Sequence, residues 1–241
     1  MQFTDREKAL LKEYLQSFAV ERELFLVLHQ RVCAEHPEWV TNGDARSNIL
    51  AKPVNLILTA LANFHLLEHV ANDITFWQQT VGIQKVVSNQ DLAAETELGI
   101  FYRVATLTFL FSALEHGCRS ILRSLDPSAR SEGPFKRVYD HLFTAVATVA
   151  NATDHIKLLD LLRTVRNTIH NNGVYLPASG EDAEFVLVNR TFTFMAGKRA
   201  EYFGWDTVLL VLPPIRQLLT DLLDAPEIRA KLLIEDVACH L

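Results

Sequence analysis

The chain has 241 residues, about half of them hydrophobic and a fifth charged, with a net charge of −6. That balance describes a globular protein with a sizeable core and excludes a disordered chain or one that coats nucleic acid through a broad basic surface. Its three cysteines, Cys33, Cys118 and Cys239, are too scattered for a disulfide framework or a cysteine zinc site.

The N-terminus, MQFTDREKALLKEY, is charged and helical in pattern where a secretory signal would be apolar, and no stretch has the length of a membrane span. A cytoplasmic protein with no membrane contact is expected. Thr4 or Asp5 can cap a first helix that ends before Pro37, and a second apolar region, VNLILTALANFHLLEHV, begins after Pro53. Within it, His65, Glu68 and His69 form a His-x-x-Glu-His string. On a helix the two histidines share a face and could hold Zn²⁺ with Glu68 as general base, as in inverted zinc peptidases, although Leu-rich helices produce this string by chance.

The longest helical pattern runs from Gln90 to Leu125 and is closed by Asp126-Pro127; Gly99 and Gly117 weaken it locally. FKRVYDHLFTAVATVA and DHIKLLDLLRTVRNTIH read as two more helices. The pattern then alternates apolar and polar residues in AEFVLVNRTFTFMAGKRAEYF, as a hairpin or meander near 184–203 would. Two further helical stretches follow, the first with Pro213-Pro214 expected to break or kink it and the second from Pro226 to the end. The predicted fold is all-α, with residues 1–89 as an N-terminal helical extension packed on a bundle formed by 90–241, and with a small β-hairpin followed by helices.

Charge is unevenly spread. Between Arg119 and His170 stand eight Lys and Arg against five Asp and Glu, which leaves −9 for the remainder of the chain. This basic segment contains RTVRNTIHNNGVY, Arg163 to Tyr175. At about 100° per residue, with Arg163 at zero, His170 falls at about −20°, Arg166 at about −60° and Asn167 at about +40°. Leu158, Leu162, Val165 and Ile169 gather on the other side as a core stripe. The polar face has an ordinary structural reading: basic residues in a last turn complement the helix dipole, and Asn171-Asn172-Gly173 supplies a left-handed end. It also has a chemical one. Arginine grips phosphate oxygens, histidine transfers a proton near neutral pH and asparagine orients either, which is the set needed to cleave an RNA phosphodiester through its 2′-hydroxyl without a metal.

LLRTVRNTIHNNGVY at a helix end, together with FLFSALEHGCRSIL on the helix before it, resembles the HEPN (higher eukaryotes and prokaryotes nucleotide-binding) superfamily over about 90–175. The resemblance implies a helical bundle, usually a symmetric homodimer whose Arg-Asn-to-His faces meet in a cleft. Many members are metal-independent endoribonucleases acting as toxins, in antiviral defence or in RNA processing, and no cofactor is expected. Carried onto this chain, Arg166, Asn167 and His170 resemble the motif, and Glu115 and Arg119 resemble a polar pair on the preceding helix. The family's usual arginine-to-histidine interval is longer than the three residues between Arg166 and His170; Arg163 and His170 have six residues between them, but Arg163 is followed by Thr164. Both arginines therefore stand as candidates. The resemblance implies RNA as substrate, a second copy as partner, and an antitoxin or a defence-complex protein as a further one. A non-catalytic relative that binds nucleotide, RNA or protein is the alternative, and Glu115 and Arg119 equally form an ordinary i,i+4 ion pair.

Overall fold

The computed structural model describes residues 5–41, 43–71, 92–202 and 204–236. Thr4, Cys239 and the 89/90 boundary lie outside the described residues. The elements are α1 (Asp5–Glu35), α2 (Pro37–Thr41), α3 (Ala45–Ala71), α4 (Leu92–Leu125), α5 (Phe135–His141) with a π-helical turn (Leu142–Val146), α6 (Ala152–His170), β1 (Ala183–Leu187), β2 (Arg190–Phe194), α7 (Trp205–Leu223) and α8 (Pro226–Arg229). The all-α class with one small hairpin is what the sequence pattern predicts. Among the described residues no helix is long and apolar enough to cross a membrane.

One hydrophobic core binds the long helices together. It includes Phe25 of α1, Ile57 of α3, Leu114 of α4, Leu158 of α6 and Leu218 of α7, so the first seventy residues contribute core positions alongside the rest. At one end, Phe18, Phe64 and Trp205 form an aromatic knot, with ring centroids 4.7–5.5 Å apart. Tyr14 joins it through Phe64 and lies within the field of Arg103. The N-terminal half of α4 and the start of α7 therefore lie on the same side of the bundle. At the other end His155, in the first turns of α6, bonds Asp221 near the end of α7 at 2.8 Å. Helix α6 therefore runs antiparallel to both α4 and α7.

Four sequence expectations change. First, α3 starts at Ala45 rather than after Pro53, which lies inside it. Pro53 deprives the Ile49 carbonyl of its helical donor, but Asp44 caps the start by accepting the Arg46 N–H at 2.8 Å, and buried Arg46, Ile49 and Leu50 hold the early turns. Second, α5 ends its π turn at Val146 instead of running to Ala150: Ala147 is extended, and Ala147 and Val149 are both buried in the core. Third, of the break or kink expected at Pro213-Pro214 the break does not occur: α7 continues through both prolines as one helix. Burial of Val208, Val211, Leu212, Ile215 and Leu218, at about 1.5–3 kcal/mol per side chain, outweighs the two missing hydrogen bonds.

The fourth change is at the C-terminus, where helix is expected from Pro226 onward but stops at Arg229. Arg46 takes the carbonyls of Ile228, Lys231 and Leu232, acceptors that a continuing helix would have used itself. The chain then pairs with the start of α3: the Ala45 N–H bonds the Ile234 carbonyl at 2.8 Å, and Asp44 bridges Glu235.

The loop between α4 and α5 is pinned by Asp126, whose carboxylate accepts bonds from the Ser128 N–H, the Ser128 hydroxyl and the His141 ring. Those bonds, His141 first and Ser128 next, pull its pKa from 3.8 to about 2. A carboxyl depressed in the folded state contributes stability above its unfolded value and loses it as the pH falls through the folded one. The loop is therefore expected to loosen as the pH falls from 3.8 to about 2. Carbon-detected NMR titration of the Asp126 carboxyl reads this directly; a midpoint near the ordinary 3.8 would show that the bonds do not hold in solution.

Candidate functional site

Helix α6 is built as its sequence suggests. Leu158, Leu162 and Val165 are buried and Ile169 is half-buried, joined on the inner side by Leu159, Leu161, Thr164 and Thr168. Thr164 and Thr168 satisfy their buried hydroxyls on the carbonyls of Asp160 and Thr164, each at 2.8 Å. The end follows the Asn-Asn-Gly pattern: Asn172 and Gly173 have φ of 55° and 82°, and the Gly173 N–H returns to the Thr168 carbonyl at 2.9 Å. This leaves Arg163 and Arg166 half-buried and Asn167 and His170 exposed on one face.

The two arginines have different surroundings. The Arg163 guanidinium stands 3.5 Å from Asp160, a carboxylate that also accepts the Tyr139 hydroxyl at 2.5 Å and the Lys136 ammonium at 3.1 Å. Burial, and then this bond to Asp160, push the Tyr139 pKa up. Arg166 instead lies over the Phe111 ring, 5.7 Å from its centroid, and otherwise touches the Asn167 side-chain oxygen at 3.5 Å. Among the described residues it has no carboxylate partner. In both arginines the Nε–H is shut off from water and donates to no acceptor, so the exposed edge of each fork carries the remaining capacity to bind an anion.

Glu115 and Arg119 lie on α4 rather than on α6. They pair with each other at 2.5 Å, and Arg119 also donates to the carbonyls of Ser131 and Gly133 while lying over Phe135. Because α4 and α6 are antiparallel and Phe111 is level with Arg166, Glu115 lies about 6 Å and Arg119 about 12 Å farther from His170 along the bundle. The pair anchors the loop after α4. The aromatic chain Phe111–Phe135–Tyr139, with T-shaped contacts of 5.3 and 4.9 Å, is the surface on which both arginine groups rest.

No protein-family model, curated protein or solved structure matches this chain.

Several residues shape the site without having been signalled by the motif itself. Asp160 and Tyr139 position Arg163, Phe111 supports Arg166, and the turn after β2 reaches back to the helix end, where the Tyr175 N–H bonds the Lys198 carbonyl at 2.9 Å and Val174 bridges Arg199. Asp160 was open to sequence reasoning as the i−3 neighbour of Arg163; the reach of Lys198 and Arg199 depends on tertiary pairing that no local pattern encodes. Cys118 is fully buried and burial pushes its thiol up to about 12, which makes it an inert core residue. His116 beside it bonds Asp236 at 2.5 Å.

The zinc string is described only in part. His65 lies on α3, exposed, whereas the side chains of Glu68 and His69 lie outside the described residues. Among the described residues no three His, Cys, Asp or Glu side chains gather as metal ligands would.

Proposed function

We propose that the chain is a HEPN-like, metal-independent endoribonuclease acting as a homodimer in a toxin or antiviral-defence setting. The observation that carries the reading is the polar face of α6. Arg166 there has no carboxylate partner among the described residues, while Asn167 and His170 are exposed beside it. An arginine already neutralised by Asp or Glu is a poor phosphate ligand, and Arg166 is not in that position.

In this reading Arg166 grips the scissile phosphate, and Arg163, held by Asp160, stands beside it on the same face. His170 takes the proton from the 2′-hydroxyl, whose oxygen attacks the adjacent phosphorus. The bond to the 5′-oxygen breaks, the leaving oxygen gains a proton, and the products carry a 2′,3′-cyclic phosphate and a 5′-hydroxyl. Asn167 orients the Arg166 fork. The exposed placement of Asn167 and His170 leaves them available to meet their counterparts in a second copy.

His170→Ala is expected to lower the rate of RNA cleavage by about 10²–10⁴-fold with the dimer intact by light scattering. Undiminished cleavage in that variant would overturn the assignment. A second reading, a non-catalytic RNA- or nucleotide-binding subunit, is favoured by the short Arg166-to-His170 interval. Tight RNA binding without any turnover by dimeric protein would decide for it.

A further inference from the structure

Helix α1 carries an apolar stripe that plays no part in the α6 site. Val20, Leu24 and Val27 are 59%, 39% and 60% exposed, and Leu10 is 45% exposed. The spacing is that of a coiled-coil seam. Leu10, Ser17, Leu24 and Arg31 recur at heptad intervals, and so do Glu13, Val20, Val27 and Ala34, offset by three residues. At 100° per residue all eight positions fall within about 120° of one another, while Phe18, Phe25 and Val32, which anchor α1 to the core, lie on the other side.

A second copy of the helix, running antiparallel, complements this stripe at one register. With a two-fold axis level with Arg22, Leu24 of one copy meets Val20 of the other, Val27 meets Ser17, Arg31 meets Glu13, and Ala34 meets Leu10. Apolar layers occupy the centre, and an arginine faces a glutamate on each flank. Glu13 has no cation partner among the described residues. Arg31 is held at the seam by Asp224 at 3.3 Å, a carboxylate that Arg229 also serves, so its outer edge is left for Glu13. Shape agrees with charge. Small Ser17 leaves a depression of about 410 Å³, lined also by Gln16, Val20, Glu21 and Leu209 of α7, at the level where the opposing Val27 arrives.

The same charges reject the alternatives. A parallel pair sets Glu13 on Glu13 and Arg31 on Arg31, and an antiparallel pair slipped by a heptad sets Arg31 on Val20 or Glu13 on Leu24. Glu23 approaches its own counterpart at the edge of the favoured pair, where Arg22 neutralises it at 2.7 Å.

We propose that α1 is a self-association surface, pairing antiparallel with the α1 of a second copy of this chain about an axis at Arg22. The paired positions run from Leu10 to Ala34, about 36 Å of helix. The pairing does not rest on the α6 reading; where the α6 faces also meet, two two-fold contacts per chain build an assembly larger than a dimer.

Sedimentation equilibrium of the full chain tests this. Val20→Glu and Val27→Glu, both at exposed positions, place a charge in the apolar layers and are expected to weaken this contact by about tenfold or more, halving the assembly mass while far-ultraviolet circular dichroism stays unchanged. Glu13→Arg and Arg31→Glu each set like charges opposite one another and are expected to weaken it too. The double exchange, Glu13→Arg with Arg31→Glu, is expected to restore it, which a general surface effect would not do. None of these variants touches α6, so pairing through that face survives them all and is scored separately. A wild-type chain that stays monomeric, leaving the stripe to a different protein, would overturn the proposal. So would a mass unchanged in Val20→Glu and Val27→Glu, or a double exchange that regains no affinity.

Discussion

Asp44→Ala is expected to destabilise the protein by about 3–5 kcal/mol, the cost of leaving a buried charge without its partner. Asp44 and Arg46 are both fully buried. Arg46 uses all five of its N–H donors: two to the Asp44 carboxylate at 2.8 and 2.6 Å, and three to the carbonyls of Ile228, Lys231 and Leu232. Asp44 accepts the Arg46 and Ile234 N–H groups as well, while the guanidinium lies 3.7 Å from the centroid of Trp39, itself stacked on His36. One residue pair thus caps α3, ends α8 and fastens the C-terminal strand-like segment. Urea denaturation of the wild type and Asp44→Ala measures the loss, and hydrogen exchange at Ile234 should rise with it. A loss below about 1 kcal/mol would place this pair among interactions of the surface class.

The second large effect is expected at Gly117 of α4, which faces Ile49 of α3. A Cβ on Gly117 would stand 2.1 Å from Ile49 Cδ1 and 2.7 Å from Cγ1, and Ile49 is itself buried. Alanine would gain about 1 kcal/mol of helix propensity, and the clash removes at least that much. Gly117→Val, larger and β-branched, is expected to cost about 3 kcal/mol or more. Ile49→Ala in the Gly117→Val background should recover part of it, a coupling that a double-mutant cycle isolates. Additive losses would mean that the two side chains do not share the space.

Gly117 also shows where sequence reasoning reaches its limit. As a residue within a helix it reads as a weak point, because propensity is local; its value is tertiary, since only a hydrogen fits against Ile49. Helices α1, α4 and α6 were legible from their apolar spacing and their punctuation at Pro37, Asp126-Pro127 and Asn171-Asn172-Gly173. Three of the four differences involve proline or polar residues with distant partners. Pro53, Pro213 and Pro214 lie inside helices because burial on the helix's inner side exceeds the hydrogen bonds they remove. The expected C-terminal helix stops at Arg229 because Arg46, 182 residues away from Ile228 in sequence, takes its carbonyl, and nothing near Arg229 signals that.

The candidate site was legible in the same partial way. Projection onto a helix separated Arg163, Arg166, Asn167 and His170 from the core stripe, and the four do share one face. It could not show that Arg163 is committed to Asp160 while Arg166 rests on Phe111, because those partners come from three-dimensional packing of α4, α5 and α6. Nor could it show how Glu115 and Arg119 are held. Their sequence spacing fits a support for the site as well as it fits an ion pair, and only tertiary packing shows that Arg119 is tied to Glu115 and to the Ser131 and Gly133 carbonyls while lying over Phe135, the ring next to Phe111.

The most direct measurement compares one RNA with its counterpart carrying a single 2′-deoxy substitution at the cleavage position, each incubated with dimeric protein in excess chelator. Cleavage by the α6 face requires that the intact RNA be cut to a 2′,3′-cyclic phosphate and that the substituted RNA survive at that position. Cutting of the 2′-deoxy position, or activity that vanishes with chelation, would contradict it.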